Sequence, residues 1–462
     1  MLMTVVTLVA VACLWALYSW RWGIAAAILV GLIQDPVRKM LPGAPAYMVL
    51  MSVPVWVAAM VSALIRHHLK IRTFLGCFPR LAFWLQAFAA YLIIPAALSA
   101  SYGRNSWQIT LLGAFVYAEA FFVLVAGWQY PGARHVPHQL LVFYAALAGV
   151  LLLGGPLEYL GWGGGHPAIG TTVLGHIWVT YRTGAPIYMI SGFFRSPDIM
   201  GWHATFVFMI AAIMAHRSKG IGRAVWIALA TWAVLNVWLC GRRKMMAMLP
   251  IFMGCYFMLI FRFRNVRQVA SIGATVLMII GLGWYVISSY YRDAEVEAFY
   301  LTTITDVEDR VQSQGMRDVM NTIYQAGFWG YGLGMSQQGV HNIEADKPRL
   351  WQESGPGKLV AELGVPGSVL FLILGGVLLM TFYHVVQLSV PHGALNITSG
   401  IMAILIANLT SAVISAQIFG DPLILFLSAF LVGLLLSSAR ITSASAPHPD
   451  EKGWPEQAEA PA

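Results

Sequence analysis

Runs of about 20 apolar residues recur from one end of the chain to the other, and that is the length a helix needs to cross a bilayer. They fall at 2–20, 22–33, 46–64, 81–99, 107–127, 139–157, 199–215, 223–240, 245–261, 268–288, 363–383, 398–416 and 420–438. The chain has 462 residues, of which 58% are hydrophobic and 10% charged. A soluble domain carries about 25% charged residues. Its core could not bury this much apolar surface, so soluble enzymes, nucleic-acid readers and secreted disulfide scaffolds are excluded. The expected fold is all-α: a polytopic membrane protein with about 12 or 13 transmembrane helices and a large outer loop containing short helices. The count depends on whether 1–33 forms two helices broken at Arg21 or one kinked element.

The +8 net charge reads as topology, because cytoplasmic loops collect Lys and Arg. Segment 65–80 carries Arg66, Lys70, Arg72 and Arg80; 216–223 carries Arg217, Lys219 and Arg223; 262–267 carries Arg262, Arg264 and Arg267. None contains an acid, so all three are expected inside. Alternation then divides the chain into N-terminal spans (1–157), an outer loop (158–198), central spans (199–288), a large acidic outer loop (289–362), C-terminal spans (363–438) and a disordered cytoplasmic tail (439–462). Cys13, Cys77, Cys240 and Cys255 have no ligand-like spacing and read as packing residues. No metal or cofactor is expected. The acidic run Asp293, Glu295, Glu297 reads as a solvated loop rather than a cation site.

Arg242, Arg243 and Lys244 break the charge pattern, because alternation brings them out on the far side from the other basic loops. Three adjacent cations there suit a multiply charged anion; the plainer reading is a miscounted helix. No Walker loop is present, so a synthetic reaction at that face needs a donor already activated, such as a lipid-linked diphosphate sugar. Arginine forks bind phosphate oxygens in pairs. A carboxylate or neutral histidine is also needed to take a proton from the acceptor hydroxyl.

Three segments supply such groups. In 188–203, Arg195 ends the outer loop, Pro197 and Asp198 start a helix, and His203 lies about one and a half turns inside it. His203 reads equally well as a core histidine. In 315–334, Val319, Met320, Ile323 and Tyr324 share helical spacing, which predicts an amphipathic surface helix over 307–326, with Arg317 on its other side. The following Gly330-Tyr331-Gly332-Leu333-Gly334 is either an anion-binding turn or an ordinary one. In 341–367, His341, Glu353, Lys358 and Glu362 gather at the mouth of a returning helix. Glu119, in the middle of the 107–127 run, reads as a neutral structural acid or as the partner of an arginine.

Taken in order, Gly-Phe-Phe-Arg-Ser-Pro-Asp from Gly192, Gly-Arg-Arg from Gly241, Gly-Met-Arg from Gly315 before Gly-Tyr-Gly-Leu-Gly, and Ala-Glu-Leu-Gly-Val-Pro-Gly from Ala361 resemble the O-antigen ligase/polymerase superfamily of bacterial membrane glycosyltransferases. The resemblance spans about 188–370. It implies an undecaprenyl-diphosphate-linked glycan donor, a glycan acceptor and inverting transfer outside the bacterial inner membrane, without nucleotide or metal. It implies Arg242 or Arg243, with Arg317, near the diphosphate, and Arg195 or Arg182 in place of the arginine that commonly precedes the Gly-Phe segment. Ligases carry a His-Asn pair shortly before Glu-Leu-Gly. Here Glu353-Ser354 fills that slot and His341-Asn342 lies further upstream, so either Glu353 or His341 is the base.

These readings lead to a surface-polysaccharide polymerase, with substrate-binding residues Arg242, Arg243, Arg195, Arg317, Arg182, His203 and Lys358. The alternatives are a ligase moving glycan onto lipid A core or protein, and a transporter or flippase for the lipid-linked sugar. Expected partners are the donor, the acceptor, the bilayer and polysaccharide export or assembly proteins, with no nucleic acid.

Overall fold

The computed structural model describes residues 2–131, 137–162, 165–170, 178–180, 186–263, 281, 285, 299, 312, 316–337, 340, 343, 352, 354–389 and 395–444. It is 80% helical. Ten described stretches are long and apolar enough to cross a bilayer. The chain is an all-α, multi-pass membrane protein.

The N-terminal region is two helices, α1 (Leu2–Tyr18) and α2 (Trp20–Met40), parted at Ser19, whose backbone is extended, rather than at Arg21. A short 3-10 turn (Ala46–Leu50) leads into α3 (Ser52–Ile65). The basic 65–80 segment holds an unanticipated helix, α4 (Ile71–Cys77). The 81–99 run is two helices, α5 (Pro79–Tyr91) and α6 (Ile93–Ala100), because Pro95 supplies no N–H to continue the ladder. Then come α7 (Ser106–Gln129), α8 (Pro137–Leu151) and α9 (Gly154–Tyr159). A two-residue hairpin follows, β1 (Val179–Thr180) antiparallel to β2 (Ile187–Tyr188), too short to leave an alternating pattern in the sequence.

The centre of the bundle is α10 (Pro197–Arg217), with α11 (Gly220–Leu239) and α12 (Arg243–Phe263) beside it. Ser196 caps α10 by accepting the Ile199 N–H at 3.4 Å, and Pro197 takes the first helical position, where an N–H has no use. Beyond it lie α13 (Asp318–Ala326), α14 (Gly355–Ser389), α15 (Leu395–Ile414), α16 (Gln417–Gly420) and α17 (Pro422–Ala444). The late span begins at Gly355, earlier than its apolar run, and bends at Gly364 (φ 69°, ψ −175°). Of the expected span 268–288 only residues 281 and 285 are described, and 445–462 of the tail lie outside the described residues.

Hydrophobicity cannot drive helices together inside lipid, so close backbone packing does. Gly127 of α7 and Gly433 of α17 meet directly. A Cβ on Gly433 would lie 2.0 Å from the Leu124 carbonyl oxygen, and one on Gly127 2.3 Å from that of Phe430. The central helix α10 is buried along most of its length, Trp202, Phe206 and Phe208 included.

This helix also fixes the two ends of the bundle. Asp198 and Arg217 lie about 30 Å apart along it at 1.5 Å per residue. Arg242 is paired with Asp198, so residues 241–244 sit at the end opposite Arg217 and the basic 216–223 segment. Arg262, in the last turn of α12, lies at that far end as well.

Candidate functional site at the Asp198 end

The segment before α10 is held by charges on other helices. Gly192 turns with φ 55°, and a Cβ there would lie 2.7 Å from the Gly154 backbone. The Ser191 and Gly192 N–H groups donate to Glu158 Oε2 at 3.0 and 2.6 Å. Lys39, at the end of α2, donates to the Gly170 and Gly192 carbonyls at 2.7 and 2.8 Å and to Ser191 Oγ at 3.2 Å. Burial lowers the Lys39 ammonium to about 8, against the opposing pull of Asp35 and Glu158. Arg195 follows. It donates to Asp35 at 3.1 Å through one guanidinium nitrogen and pairs with Asp421 through the other. Burial works against its charge, but the two carboxylates outweigh burial and raise its pKa. Its fork is committed to protein carboxylates.

The second group surrounds Asp198. Arg242 pairs with Oδ2 at 2.8 Å and Lys244 with Oδ1 at 2.7 Å. Lys244 also donates to Ser415 Oγ at 2.9 Å. The Arg242 guanidinium stands 5.2 Å from the Trp178 ring centre, and that of the buried Arg243 stands 4.9 Å from Phe299. Two cations share one carboxylate here, at the positive end of the α10 dipole. Among the described residues one carboxylate thus faces two cations, an arrangement suited to a phosphate or diphosphate.

The third group lies at the start of α14. Lys358 is buried, donates to the Phe419 carbonyl at 3.2 Å and stands 3.9 Å from Glu362 Oε1. Glu362 Oε2 accepts the Tyr117 hydroxyl at 3.1 Å. Gly355 packs against the Ala412 carbonyl on α15, and Ser415 follows directly, so the Lys358 and Asp198 groups are neighbours through α15 and α16.

The glycine-rich run packs as a turn. Tyr331 N–H donates to the Ala361 carbonyl at 2.7 Å and Leu333 N–H to that of Pro95 at 3.1 Å. Gly330, Gly332 and Gly334 all take positive φ, and side chains there would meet Gly364, Pro95 and Ile109 backbone. The Gly330, Tyr331 and Leu333 N–H groups are thus occupied by carbonyls.

Of the expected site residues, Arg242, Arg195 and, across the α15–α16 corner, Lys358 are brought to one end of the bundle, where Arg243 adjoins Arg242. Arg317 is exposed at the start of α13 and has no ion pair among the described residues. His203 is a core residue: Nδ1 is 2.5 Å from the Tyr144 hydroxyl, and the ring stacks 4.9 Å from Phe194. Glu119 is buried, with neither carboxylate oxygen hydrogen-bonded among the described residues, so it pairs with no arginine among them. Arg182, His341 and Glu353 lie outside the described residues.

Sequence reasoning missed Asp35, Asp421, Lys39 and Glu158. Each stands at the edge of an apolar run, where its charge reads as a helix end; the signal available was that Asp35 and Asp421 interrupt runs that otherwise lack acids. No protein-family model matches the chain, and no curated protein matches it.

Proposed function

We propose that the protein is a membrane glycosyltransferase that polymerises an undecaprenyl-diphosphate-linked oligosaccharide at the Asp198 end of the bundle, in the bacterial inner membrane with that end facing out. The observation that carries the reading is the sharing of Asp198 by Arg242 and Lys244. Among the described residues this pair of cations meets a single carboxylate, and a diphosphate leaving group brings further negative charge in the geometry that arginine favours. The three acid-free basic segments suit a cytoplasmic position, and Arg217 lies at the opposite end from Arg242. In this reading Glu353 or His341 takes the acceptor proton, and the donor, the acceptor and envelope assembly proteins are the partners. A ligase on the same scaffold uses the same diphosphate grip and differs only in acceptor.

The test is reconstitution with lipid-linked oligosaccharide. Arg242→Ala and Lys244→Ala are expected to lower polymer yield at least tenfold while the protein still inserts and elutes as the parent does. Full activity in both would overturn the assignment. A second reading, translocation of the lipid-linked sugar without bond formation, draws on the buried Asp35–Arg195–Asp421 group and Glu119, since ionisable residues in the membrane often line transport paths. Sugar crossing proteoliposomes with no new glycosidic bond would favour it.

A further inference from the structure

Helix α13 is amphipathic in the reverse sense of a helix packed on a soluble core. Its inner side is polar. Thr322 is fully buried and donates to the Asp318 carbonyl at 2.7 Å. Asp318 accepts from Ser354 Oγ, and the Gln352 amide, oriented to donate, lies 3.0 Å from its other oxygen. Its outer side carries Met320 (57% exposed) and Tyr324 (94%) at i, i+4 spacing, and large apolar side chains flank the helix, Met316 (70%) just before it and Phe328 (56%) and Trp329 (53%) just after the Gly327 turn. The 318–326 helix therefore differs from the 307–326 expectation in its face: Val319 and Ile323 lie on the partly covered flank, and the Met316–Phe328 stripe is the exposed one.

The depth of this stripe follows from α14. Beyond the bend at Gly364, residues 365–389 extend about 37 Å, more than the roughly 30 Å of a hydrocarbon core, so they cross unaided. Val365 N–H, at the mouth of that span, donates to the Phe328 carbonyl at 2.9 Å, and the Trp329 backbone packs on Gly364. Phe328 and Trp329 thus sit where the span leaves the hydrocarbon, the level at which aromatic residues concentrate in membrane proteins. Val369 (50% exposed) and Leu372 (70%) continue an apolar surface down the same helix.

We infer that α13 is an in-plane membrane helix whose Met320 and Tyr324, with the flanking Met316 and Phe328, are sunk in the headgroup–acyl boundary of the leaflet at the Asp198 end. Its occupant is phospholipid, because the stripe is continuous with the lipid-facing side of a span and lies at interfacial depth. Such helices bury their apolar face about 5–10 Å into the boundary. The polar side then presses Asp318 onto Ser354, at the start of α14, so the lipid surface braces the segment that carries Lys358.

The experiment uses the full chain in phosphatidylcholine–phosphatidylglycerol nanodiscs, with Cys13, Cys77, Cys240 and Cys255 replaced by serine. Single cysteines at 316, 320, 324 and 328, and at the exposed polar positions 321 and 325, carry a nitroxide. Their collision rates with oxygen and with a water-soluble nickel chelate give depth. The oxygen-to-nickel ratio at 320, 324 and 328 is expected to exceed that at 321 and 325 several-fold. Should labelling at 324 lower the melting temperature, 316 and 328 carry the same comparison. Nickel access at the stripe equal to that at 321 and 325 would place it in water and overturn the inference. Exclusion of both reagents would overturn it too, showing a protein partner such as a second copy on that face.

Discussion

Arg195 and Asp421 form a buried ion pair, and Asp35 closes the other side of the same guanidinium, at 11%, 3% and 4% side-chain exposure respectively. This one arginine ties the end of α2, the start of α10 and the start of α17 together. Removing one member of a buried charge group leaves the others uncompensated, at a cost of about 3–5 kcal/mol. Arg195→Met is therefore expected to lower the melting temperature in detergent sharply. Arg195→Lys rescues little, because an ammonium lacks the fork that reaches two carboxylates. The triple variant Asp35→Asn, Arg195→Met, Asp421→Asn is expected to regain much of the loss. An unchanged melt for Arg195→Met would refute the structural role.

Asp198 holds two cations at once, which gives opposite predictions for the partners. Arg242→Ala is expected to weaken binding of inorganic pyrophosphate about tenfold or more, the scale of one charge-assisted pair. Asp198→Asn removes the internal competitor and is expected to tighten pyrophosphate binding several-fold while lowering thermal stability. Isothermal titration at low salt measures both. Weaker binding in Asp198→Asn would sink the argument from the shared carboxylate.

The sequence made the fold class and most span centres readable, because about 20 apolar residues in a row have one physical use in a polytopic chain. It did not show the breaks at Ser19 and Gly364, which depend on local backbone angles, nor the start of α14 at Gly355, where the charges of Lys358 and Glu362 interrupt the apolar run that marks a span. Alternation of basic loops was enough to set Arg242 opposite Arg217. The pairing of Arg195 was not readable: Asp35 and Asp421 are far away in the chain, and no local pattern announces which arginine a distant acid meets.

Lys39 makes stability depend on alkaline pH. Its folded pKa, about 8, lies below the ordinary lysine value of 10.5. Below about pH 8 both states hold the proton and the penalty of burying the ammonium is fully present. Between about 8 and 10.5 the folded protein has released the proton while the unfolded chain still binds it, so stability rises with pH. The gain by pH 9 is on the order of 1 kcal/mol. Lys39→Met lacks this dependence. The melting-temperature gap between the parent and Lys39→Met is expected to widen in favour of the parent from pH 7.5 to 9.5. A constant gap would show that Lys39 titrates normally.

Two helical glycines give opposite outcomes for the same substitution. At Gly433 a Cβ would lie 2.0 Å from the Leu124 carbonyl oxygen, 2.6 Å from the Trp128 nitrogen and 2.8 Å from Gly127 Cα, all of them backbone atoms that cannot rotate away. Gly433→Ala must therefore push α7 and α17 apart, losing contact along the crossing. A cost of about 1–3 kcal/mol follows, the range for overpacking a fitted interior. At Gly376 of α14 a Cβ meets nothing within 4 Å. There the substitution only restricts the unfolded chain and improves helix propensity, so Gly376→Ala is expected to be neutral or to add up to about 1 kcal/mol. Thermal melts of the two variants in one detergent make the comparison, and equal effects would mean that α7 and α17 do not meet backbone to backbone.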